Sequence, residues 1–588
     1  MTRDGRIANR IAARALSIHD GIIVARGRRQ FLKFLGAGFT GAYASGLGPL
    51  AAAAQTGRPA PFQPIQPTTR DDLVLPSGFR YDIVARWSDP LPGTHSRLGY
   101  NADFTAFLPL KDPREGVLVV NHEYVSLPEP GEIGVYNQTF PLVMGRAPRL
   151  EDEMRDVGVS VLHLRQNDAG RWAIIPSPLT RRYDALSPMT ASGPALQTAR
   201  GLAGTLENCS GCHTPWQTVL TCEENFQDCV PEAVDTSGRG RVGGRFGRDG
   251  AHFGWVVEID PLDPGWTPVK HTMLGRFRHE NVALRADPGG PVIAYMGDDR
   301  LNGHVHRFVS DERYAPAAGS RGSLLARGRL YAAVFHADGT GEWRELAPET
   351  PLHPAPESSH PRVSRGAKTL GQVYADLGAI VTDAFRASNL IGATPTGRPE
   401  DIEVHPLDKS VYIAFTGSAT ARGHLFPNIY GEIWRIVEEG DATGTRFTWM
   451  RWKAGGPNET RRGGRGLASP DNLAFDPAGN LWVVTDITTV RLNADARFTV
   501  FGNNGMFFVP TAGPDAGVAL QFASAPCEAE LAGPSWPDNR ETMFLSVQHP
   551  GEGSGIRGAG VAAPRGSNWP GGRRGDPPLP AVVAIRRQ

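Results

Sequence analysis

The sequence lacks the net charge expected of a protein that binds a polyanion, because 61 lysines and arginines are balanced by 61 aspartates and glutamates. Nucleic-acid-binding domains carry clustered basic charge, so this balance argues against a nucleic-acid partner. Charged residues make up only 21% of the chain and hydrophobic residues 40%, which is unlike a disordered protein. At 588 residues the chain can bury a large core.

The sequence also lacks long hydrophobic runs after its first 54 residues. Before that point, Arg28-Arg29-Gln30-Phe31-Leu32-Lys33 is a twin-arginine signature, followed by a weakly apolar, Gly/Ala-rich stretch from Phe34 to Ala54. We therefore predict a signal peptide over 1–54, read by the twin-arginine translocation machinery, and a periplasmic or secreted protein. A Pro-rich tether over 55–72 and one large domain over 73–588 are expected to follow.

Cysteines are few, and their number is odd. The chain has five: Cys209, Cys212, Cys222, Cys229 and Cys527. In an oxidising compartment, an odd count leaves at least one thiol free or bound to a metal. Cys209-Ser-Gly-Cys212-His213 also has the spacing of a c-type haem attachment site, so a non-enzymatic haem protein is one alternative.

Glycine and proline are abundant, with 70 and 49 residues, or about a fifth of the chain. Short apolar, β-branched runs alternate with turn sequences, as in Gly116–Asn121, Val411–Phe415 and Leu481–Thr485. We predict an all-β fold, a six-bladed β-propeller with long inserted loops and a few helices, with a pair of β-sandwiches as the rival. One amphipathic helix is predicted over Thr369–Ala387.

Acidic, amide and histidine side chains follow or begin many of these runs. The clusters are Asn121–Tyr124, Gly204–Phe226, Arg276–Asn281, Gly297–Arg300, Arg398–Glu403, Ser469–Asn472, Cys527–Glu530 and Gln548–Glu552. In a propeller such strand ends converge on the central channel. Many carboxylates suit calcium, and a thiolate among them suits iron. Arg278 and Arg398 lie beside the acids and suit an anionic phosphate.

The most specific of these motifs resembles a known family. Asn208-Cys209 with Thr214-Pro215-Trp216, followed by Thr221-Cys222-Glu223-Glu224-Asn225, is similar to the PhoX family of bacterial exported alkaline phosphatases. Arg398-Pro399-Glu400, Ser469-Pro470-Asp471-Asn472 and Gln548-His549-Pro550-Gly551 are also family-like. The resemblance extends from about residue 73 to residue 552.

This resemblance implies a phosphatase that hydrolyses phosphate monoesters at a cluster of Fe(3+) and Ca(2+) ions in the centre of the propeller. By motif, Cys209 is similar to the iron thiolate ligand, and Glu280 and Glu400 to bridging carboxylates. Arg398 is similar to the catalytic, phosphate-binding arginine. The remaining calcium or more distant ligands it implies are Glu123, Glu223 or Glu224, Asp471 and Glu530.

The chain departs from the family pattern in three places. Cys212 and His213 interrupt a loop that is usually glycine-rich, and Gln217 follows Trp216 where the family tends to have glycine. Asp401 follows Glu400 where the family usually has an aromatic residue. A calcium-dependent propeller lactonase or esterase stays an alternative, because the Asp471-Asn472 pair would suit a single calcium site, and Cys209 would then have no role. We expect the protein to be a monomer.

Overall fold

The computed structural model describes residues 62–125, 135–316, 323–353, 366–417, 425, 427–441, 443–459, 464, 466–537, 541–558 and 565–588. The predicted signal peptide and residues 55–61 of the predicted tether lie outside these ranges. In the described part of the chain, no helix is long and apolar enough to span a membrane.

Strands dominate the described residues, as predicted. They are β1 (Phe79–Arg86), β2 (Ala102–Pro109), β3 (Glu115–His122), β4 (Gly158–Gln166), β5 (Trp172–Ile174), β6 (Arg181–Tyr183), β7 (Thr190–Ser192), β8 (Asn208–His213), β9 (Val219–Glu223), β10 (Val242–Gly243), β11 (Arg248–Asp249), β12 (Val256–Ile259), β13 (Val269–His271), β14 (His279–Ala286), β15 (Pro291–Asp298), β16 (Leu301–Gly303), β17 (Val305–Arg313), β18 (Gly328–Phe335), β19 (Thr340–Glu345), β20 (Thr396–Gly397), β21 (Pro399–Val404), β22 (Val411–Phe415), β23 (Glu432–Glu438), β24 (Arg446–Ala454), β25 (Pro470–Phe475), β26 (Leu481–Thr485), β27 (Gly505–Val509), β28 (Leu520–Ser524), β29 (Glu530–Ser535), β30 (Thr542–Gln548) and β31 (Ala581–Arg587). The α-helices are α1 (Val135–Met144), α2 (Leu150–Asp156), α3 (Leu377–Thr382), α4 (Ala384–Leu390) and α5 (Thr489–Ala494).

The strands form a propeller-like series of mostly antiparallel sheets, in which β7 and β13 pair in parallel. Their orders are β2-β3-β4-β5, β7-β13-β12-β9-β8, β14-β15-β17-β18-β19-β24-β23-β22-β21, β25-β26-β27-β28 and β1-β31-β30-β29. The innermost strands β2, β8, β14, β21, β25 and β29 contact one another in that cyclic order, and β29 contacts β2 again. The expected propeller-like β fold is therefore confirmed, whereas the hydrogen-bonded sheets alone do not establish six blades.

The pairing of the first and last strands closes this ring. Residues of β1 pair with β31 from Phe79↔Arg587 to Arg86↔Ala581. Aromatic packing seals the neighbouring sheet interface, where the Phe107 and Phe544 rings stack with centroids 5.2 Å apart beside Trp172. This closure joins the two ends of the chain within one sheet, and propellers of this kind leave only short, protected strand edges.

Two elements differ from the sequence prediction. The helix predicted over Thr369–Ala387 is a short 3₁₀ turn at Leu370–Gln372 followed by α3 and α4. Asp376 caps α3 by accepting a hydrogen bond from the Ala379 amide, and Asp383 separates α3 from α4. Aspartate favours helix ends over helix interiors, so these two residues divide the apolar pattern.

The described part of the predicted tether does not extend away from the domain. The Ile65 amide donates to the Gln521 carbonyl at 3.0 Å, and Val74 forms a bridge with Ser524. The Phe62 ring packs against Phe522, with centroids 5.0 Å apart. Residues 62–74 thus lie against the outer strand β28.

A stack of buried imidazoles lies between the β14–β19 strands and α4. The Phe277 ring stacks between His279 and His306, at centroid distances of 3.7 and 4.1 Å. Burial lowers the pKa of His279 to about 3 and that of His304 to about 4. Nδ1 of His304 lies 3.1 Å from the Thr394 carbonyl, which suits a neutral ring that donates from Nδ1.

We expect the free energy of unfolding to fall as the pH drops below about 6.5, because the unfolded histidines then bind protons that the folded ones exclude. For His304 alone the loss between pH 7 and pH 5 should be about 2 kcal/mol. Urea unfolding of the wild type and of His304→Asn, which can still donate to Thr394, measures it. An identical pH dependence in the two proteins would contradict this prediction.

Candidate metal centre and active site

One potential ligand begins each of the six innermost strands. Each is the second residue of its strand, or the first in β29, and the set is Asp103, Cys209, Glu280, Glu400, Asp471 and Glu530. In the first five strands the pairing register breaks just beyond the ligand, for example between Asn208 and Gly211 and between Pro399 and Ile402. Such β-bulges re-aim a side chain at the strand end.

A second set comes from the strand that pairs with each innermost strand. The residue directly after each of these strands is Glu123, Glu224, Asp299, Thr416, Asp486 or His549. The registers are equivalent in five of the six hairpins, for example Asn208↔Glu223 and Pro470↔Thr485. The chain therefore repeats one local hairpin geometry. Within the second set, Thr416 is the one member whose side chain has neither a carboxylate nor an imidazole.

The two sets meet around one cavity of about 360 Å³. Its lining includes all six members of the first set and all of the second except Thr416. Sγ of Cys209 lies 3.2 Å from Oε1 of Glu280 and 3.4 Å from Oδ2 of Asp103. Three groups have ligand atoms within 4.8 Å of one another: Asp103, Glu123 and Cys209; Cys209, Glu224 and Glu280; and Glu280, Glu400 and Asp471.

Two glycines allow the ligand-bearing backbones to approach closely. A Cβ at Gly297 would collide with the carbonyl groups of Pro399 and Glu400, and one at Gly533 with the backbone of Phe104 and Thr105. These contacts bring β15 against β21 and β29 against β2 at the ends that carry the ligands.

The charges of this cluster are unbalanced without cations. Burial, reinforced by the neighbouring carboxylates, holds the pKa values of Asp103, Glu224 and Glu280 well above their usual range. Burial also raises the pKa of Glu123 to about 7. Oδ1 of Asp103 is buried and has no hydrogen-bond partner among the described residues. A bound cation offsets the cost of burying these carboxylates close together. The oxygen donors fit hard cations, and the single thiol fits a metal that binds thiolate.

Side-chain amides hold several of these carboxylates in place. Nε2 of Gln548 donates to Glu123 at 2.5 Å and to Asp103 at 3.1 Å. Nδ2 of Asn225 donates to both Glu123 and Glu224, and Nδ2 of Asn472 donates to Glu280 at 3.2 Å. Neutral donors of this kind orient a ligand and leave its remaining lone pairs for a metal.

Arg398 supplies the positive charge at the cavity wall. Its Nε and Nη2 donate to Asp299 at 3.0 and 2.7 Å, and Nη2 lies 3.0 Å from Oε1 of Glu400. Burial opposes its charge, but Asp299 and Glu400 hold the pKa of Arg398 well above its usual value. Its side chain is 36% exposed. Nη1 has no hydrogen bond to any residue that the structure describes, so it can bind an anion in the cavity.

Of the two adjacent glutamates, the structure brings Glu224 to the cavity and does not bring Glu223 there. Oε1 of Glu223 pairs with Nζ of Lys270 at 2.5 Å, and Oε2 accepts from the Gly254 and Trp255 amides. Both charged side chains are completely buried. Consecutive residues at a strand end point to opposite sides, so only one could reach the cluster.

Arg278, the other arginine that the sequence suggested, pairs with Glu232 at 3.1 Å and does not line the cavity.

Sequence reasoning missed Asp103 and did not select Asp299, Asp486 or His549 as site residues. Asp103 directly precedes an apolar run, whereas the chosen acids mostly stood in recognisable motifs. The signal that would have found it is its place at the start of an innermost strand, equivalent to that of Cys209.

The Cys-x-x-Cys-His pattern lies on strand β8, and its two sulfurs have different surroundings. Cys209 faces the carboxylates, whereas Cys212 packs against the hydrophobic core cluster that contains Leu220 and Cys222. All five cysteines are free thiols. The geometry therefore does not favour haem attachment.

The fold and cavity define a propeller-like β protein whose strand ends converge on a buried acidic site able to hold metal ions. The family model for alkaline phosphatase PhoX matches residues 60–551. The chain belongs to this family, and it is a phosphatase, a hydrolase.

Among solved structures, the chain is similar to Pseudomonas fluorescens PhoX in complex with vanadate, a transition-state analogue. The identity is 29%, the TM-score is 0.72, and the match covers 90% of this chain and 98% of that one. A protein of unknown function from Dyadobacter fermentans matches with 9% identity and a TM-score of 0.37, covering 87% and 100% of the two chains. The latter likeness is too distant to carry an argument. A comparison with curated protein sequences finds no match.

We expect Glu224→Gln to lower the bound metal content of the purified protein while leaving its fold intact. Glu223→Gln should instead lower the free energy of unfolding by about 3–5 kcal/mol, because it leaves the Lys270 charge buried without a partner. Elemental analysis and denaturant unfolding separate the two effects.

The double variant Glu223→Gln/Lys270→Met is the matched control, since removing both charges should restore much of the lost stability. If Glu223→Gln lost metal and kept full stability, the assignment of Glu223 to a structural ion pair would be wrong.

Proposed function

We propose that the protein hydrolyses small phosphate monoesters at a cluster of Fe(3+) and Ca(2+) ions in this cavity. Cys209, Glu280 and Glu400 would hold the iron, and Glu123, Glu224, Asp471 and Glu530 the calcium. Membership of the PhoX family supports phosphatase chemistry. The mixed donor set, one thiol among many carboxylates, supports the pairing of a softer with a harder metal.

The observation that carries the proposal is the orientation of Arg398. Asp299 binds one edge of its guanidinium through Nε and Nη2, which leaves Nη1 available for a non-bridging phosphate oxygen. Charge in phosphoryl transfer spreads over the three equatorial oxygens of the transferred group, so a fixed guanidinium there stabilises the transition state. Vanadate bound by the P. fluorescens relative is an analogue of that state.

The metals, when bound, would supply Lewis-acid charge to the phosphate oxygens. The chain's own residues orient the ester and shape the site. Tyr124 donates to Glu552 at 3.2 Å and Thr489 donates to Glu552 at 2.7 Å, which fixes one rim of the cavity. Arg398 supplies positive charge at the cavity wall, so an anionic phosphate is directed to it.

We also propose six blades around this site. In the nine-stranded sheet, the pairing of β19 with β24 joins two smaller units. Dividing the sheet there gives a five-stranded unit, β14-β15-β17-β18-β19, and a four-stranded unit, β24-β23-β22-β21. Each resulting unit contributes one innermost strand and one repeat of the ligand hairpin. We further propose that the protein is exported by the twin-arginine pathway to the periplasm or secreted, and that it is a monomer.

We expect purified protein to contain iron and calcium and to hydrolyse p-nitrophenyl phosphate. Arg398→Gln should lower kcat/KM by about a hundred- to a thousandfold, the usual loss for a preorganised transition-state donor. Arg278→Gln is the matched control, because that guanidinium binds Glu232 outside the cavity.

Removal of calcium by a chelator should abolish the activity, and its return should restore it. Cys209→Ser should lose iron and activity together. The proposal fails if the protein binds neither metal, or if Cys209→Ser hydrolyses the ester as fast as the wild type.

A further inference from the structure

The cavity deepens from an exposed mouth to a buried floor. Side chains that begin the innermost strands form the floor, where Glu280 is only 2% exposed. The second strand of each hairpin runs toward the cavity, and a member of the second set follows its end. Residues one to three positions later therefore lie at the mouth. Those that line the cavity there, each more exposed than the floor, are Tyr124, Asn225, Thr488 and Glu552.

Three of these residues form one continuous wall. The Tyr124 hydroxyl donates to Oε1 of Glu552 at 3.2 Å, and the hydroxyl of Thr489, the neighbour of Thr488, donates to Oε2 at 2.7 Å. They follow strands β3, β30 and β26, in units whose innermost strands β2, β29 and β25 are consecutive in the ring. We call Tyr124, Thr488 and Glu552 the mouth wall.

The mouth wall and Arg398 line the same cavity. Arg398 directly precedes β21, which contacts β25, so the wall begins beside the arginine's unit and continues around the ring to β2. The floor is filled by the ligand side chains. An ester whose phosphate lies at Arg398 and the metals must therefore extend its leaving group through the mouth, against this wall.

The mouth wall has binding capacity that the protein itself does not use. The Thr488 side chain is exposed, and its hydroxyl makes no hydrogen bond to any residue that the structure describes. Each Glu552 oxygen accepts one hydroxyl and retains a further lone pair, and the side chain is 29% exposed. Among the described residues that line the cavity, only Tyr124 carries a benzene-type ring.

A hydroxylated ring matches this combination of an aromatic face, a strong acceptor and a hydroxyl. The C–H groups on one face of a sugar ring suit the negative face of an aromatic ring. Hydroxyls at the edge of the sugar can donate charge-assisted hydrogen bonds to a carboxylate. We propose that the mouth wall binds the leaving group of the substrate, and that this group is a sugar or a similar cyclic polyol.

This inference rests on the proposed function, since it assigns the ester phosphate to Arg398 and the metal site. It names sugar phosphates as the substrate class. The ester P–O bond is broken, and water supplies a hydroxyl group to phosphorus and a proton to the released sugar oxygen. Tyr124, Thr488 and Glu552 are then specificity-determining residues of this reaction.

Two esters with the same carbon skeleton isolate the effect. Glucose 6-phosphate and cyclohexylmethyl phosphate both join a six-membered ring to the phosphate through one methylene group, but only the sugar carries hydroxyls on its ring. The wild type should have a kcat/KM about tenfold or more higher for glucose 6-phosphate, because only this ester forms hydrogen bonds with the mouth wall.

Two polar variants should reduce this preference. Thr488→Val removes one hydroxyl at nearly constant shape and should lower kcat/KM for glucose 6-phosphate about two- to tenfold. Glu552→Gln removes a charged acceptor and should lower it about ten- to a hundredfold. Both should leave cyclohexylmethyl phosphate within about twofold. Thr499→Val is the matched control, because Thr499 lies outside the cavity lining.

The aromatic face is tested separately. Tyr124→Ala should lower kcat/KM for both esters about two- to tenfold, since either ring packs on the tyrosine face. Tyr124→Phe keeps that face and should restore most of the loss. Thermal unfolding and elemental analysis check that each variant is folded and carries the metals of the wild type.

Two results would overturn the inference. Equal kcat/KM for the two esters, in a wild type that hydrolyses p-nitrophenyl phosphate, would leave the proposed function standing and remove the sugar site. Equal losses for both esters in Glu552→Gln, or loss of its metals, would mean that Glu552 supports the metal site instead. If the metal-loaded wild type hydrolysed none of the three esters, the proposed function itself would fail.

Discussion

Mutual repulsion among buried carboxylates is the constraint on which the rest of the molecule depends. Glu280, Glu400 and Asp471 bring oxygens within 4.8 Å of one another, in a cavity where burial already disfavours their charge. Such a group costs free energy unless cations or protons neutralise it. The surrounding structure must therefore be rigid enough to keep the acids together before any cation binds.

That rigidity comes from three levels of structure. The β1–β31 pairing closes the ring, so that the innermost strands cannot move apart independently. Bulges at the starts of these strands turn one side chain each toward the axis, as at Cys209 and Glu400. Amide donors such as Gln548 and Asn472 then fix individual carboxylates. The same closure surrounds Arg398 with acids and fixes its direction.

The sequence was sufficient to predict the strands and most of the cluster, because β-branched runs ending in acids carry a local signal. Leu481–Thr485 and Val411–Phe415 are strands with the predicted bounds. Three features depend on tertiary context instead. The choice between Glu223 and Glu224 depends on which residue meets Lys270, and the division of the predicted helix depends on capping by Asp376. Asp103 belongs to a repeat whose spacing is hidden by insertions of very different length.

The join between β1 and β31 has a consequence for how the protein matures. The ring includes residues 79–86 and 581–587, which are separated by nearly the whole chain. While the ribosome is still making the last of these residues, the acids of the cavity cannot be held in their final places. The metal site is therefore completed only after residues 581–587 have left the ribosome, and its ligands, Cys209 included, stay accessible to wrong metals and oxidants until then. The seven-residue strand β31 therefore determines when the acids of the cavity reach the positions in which they can select metals.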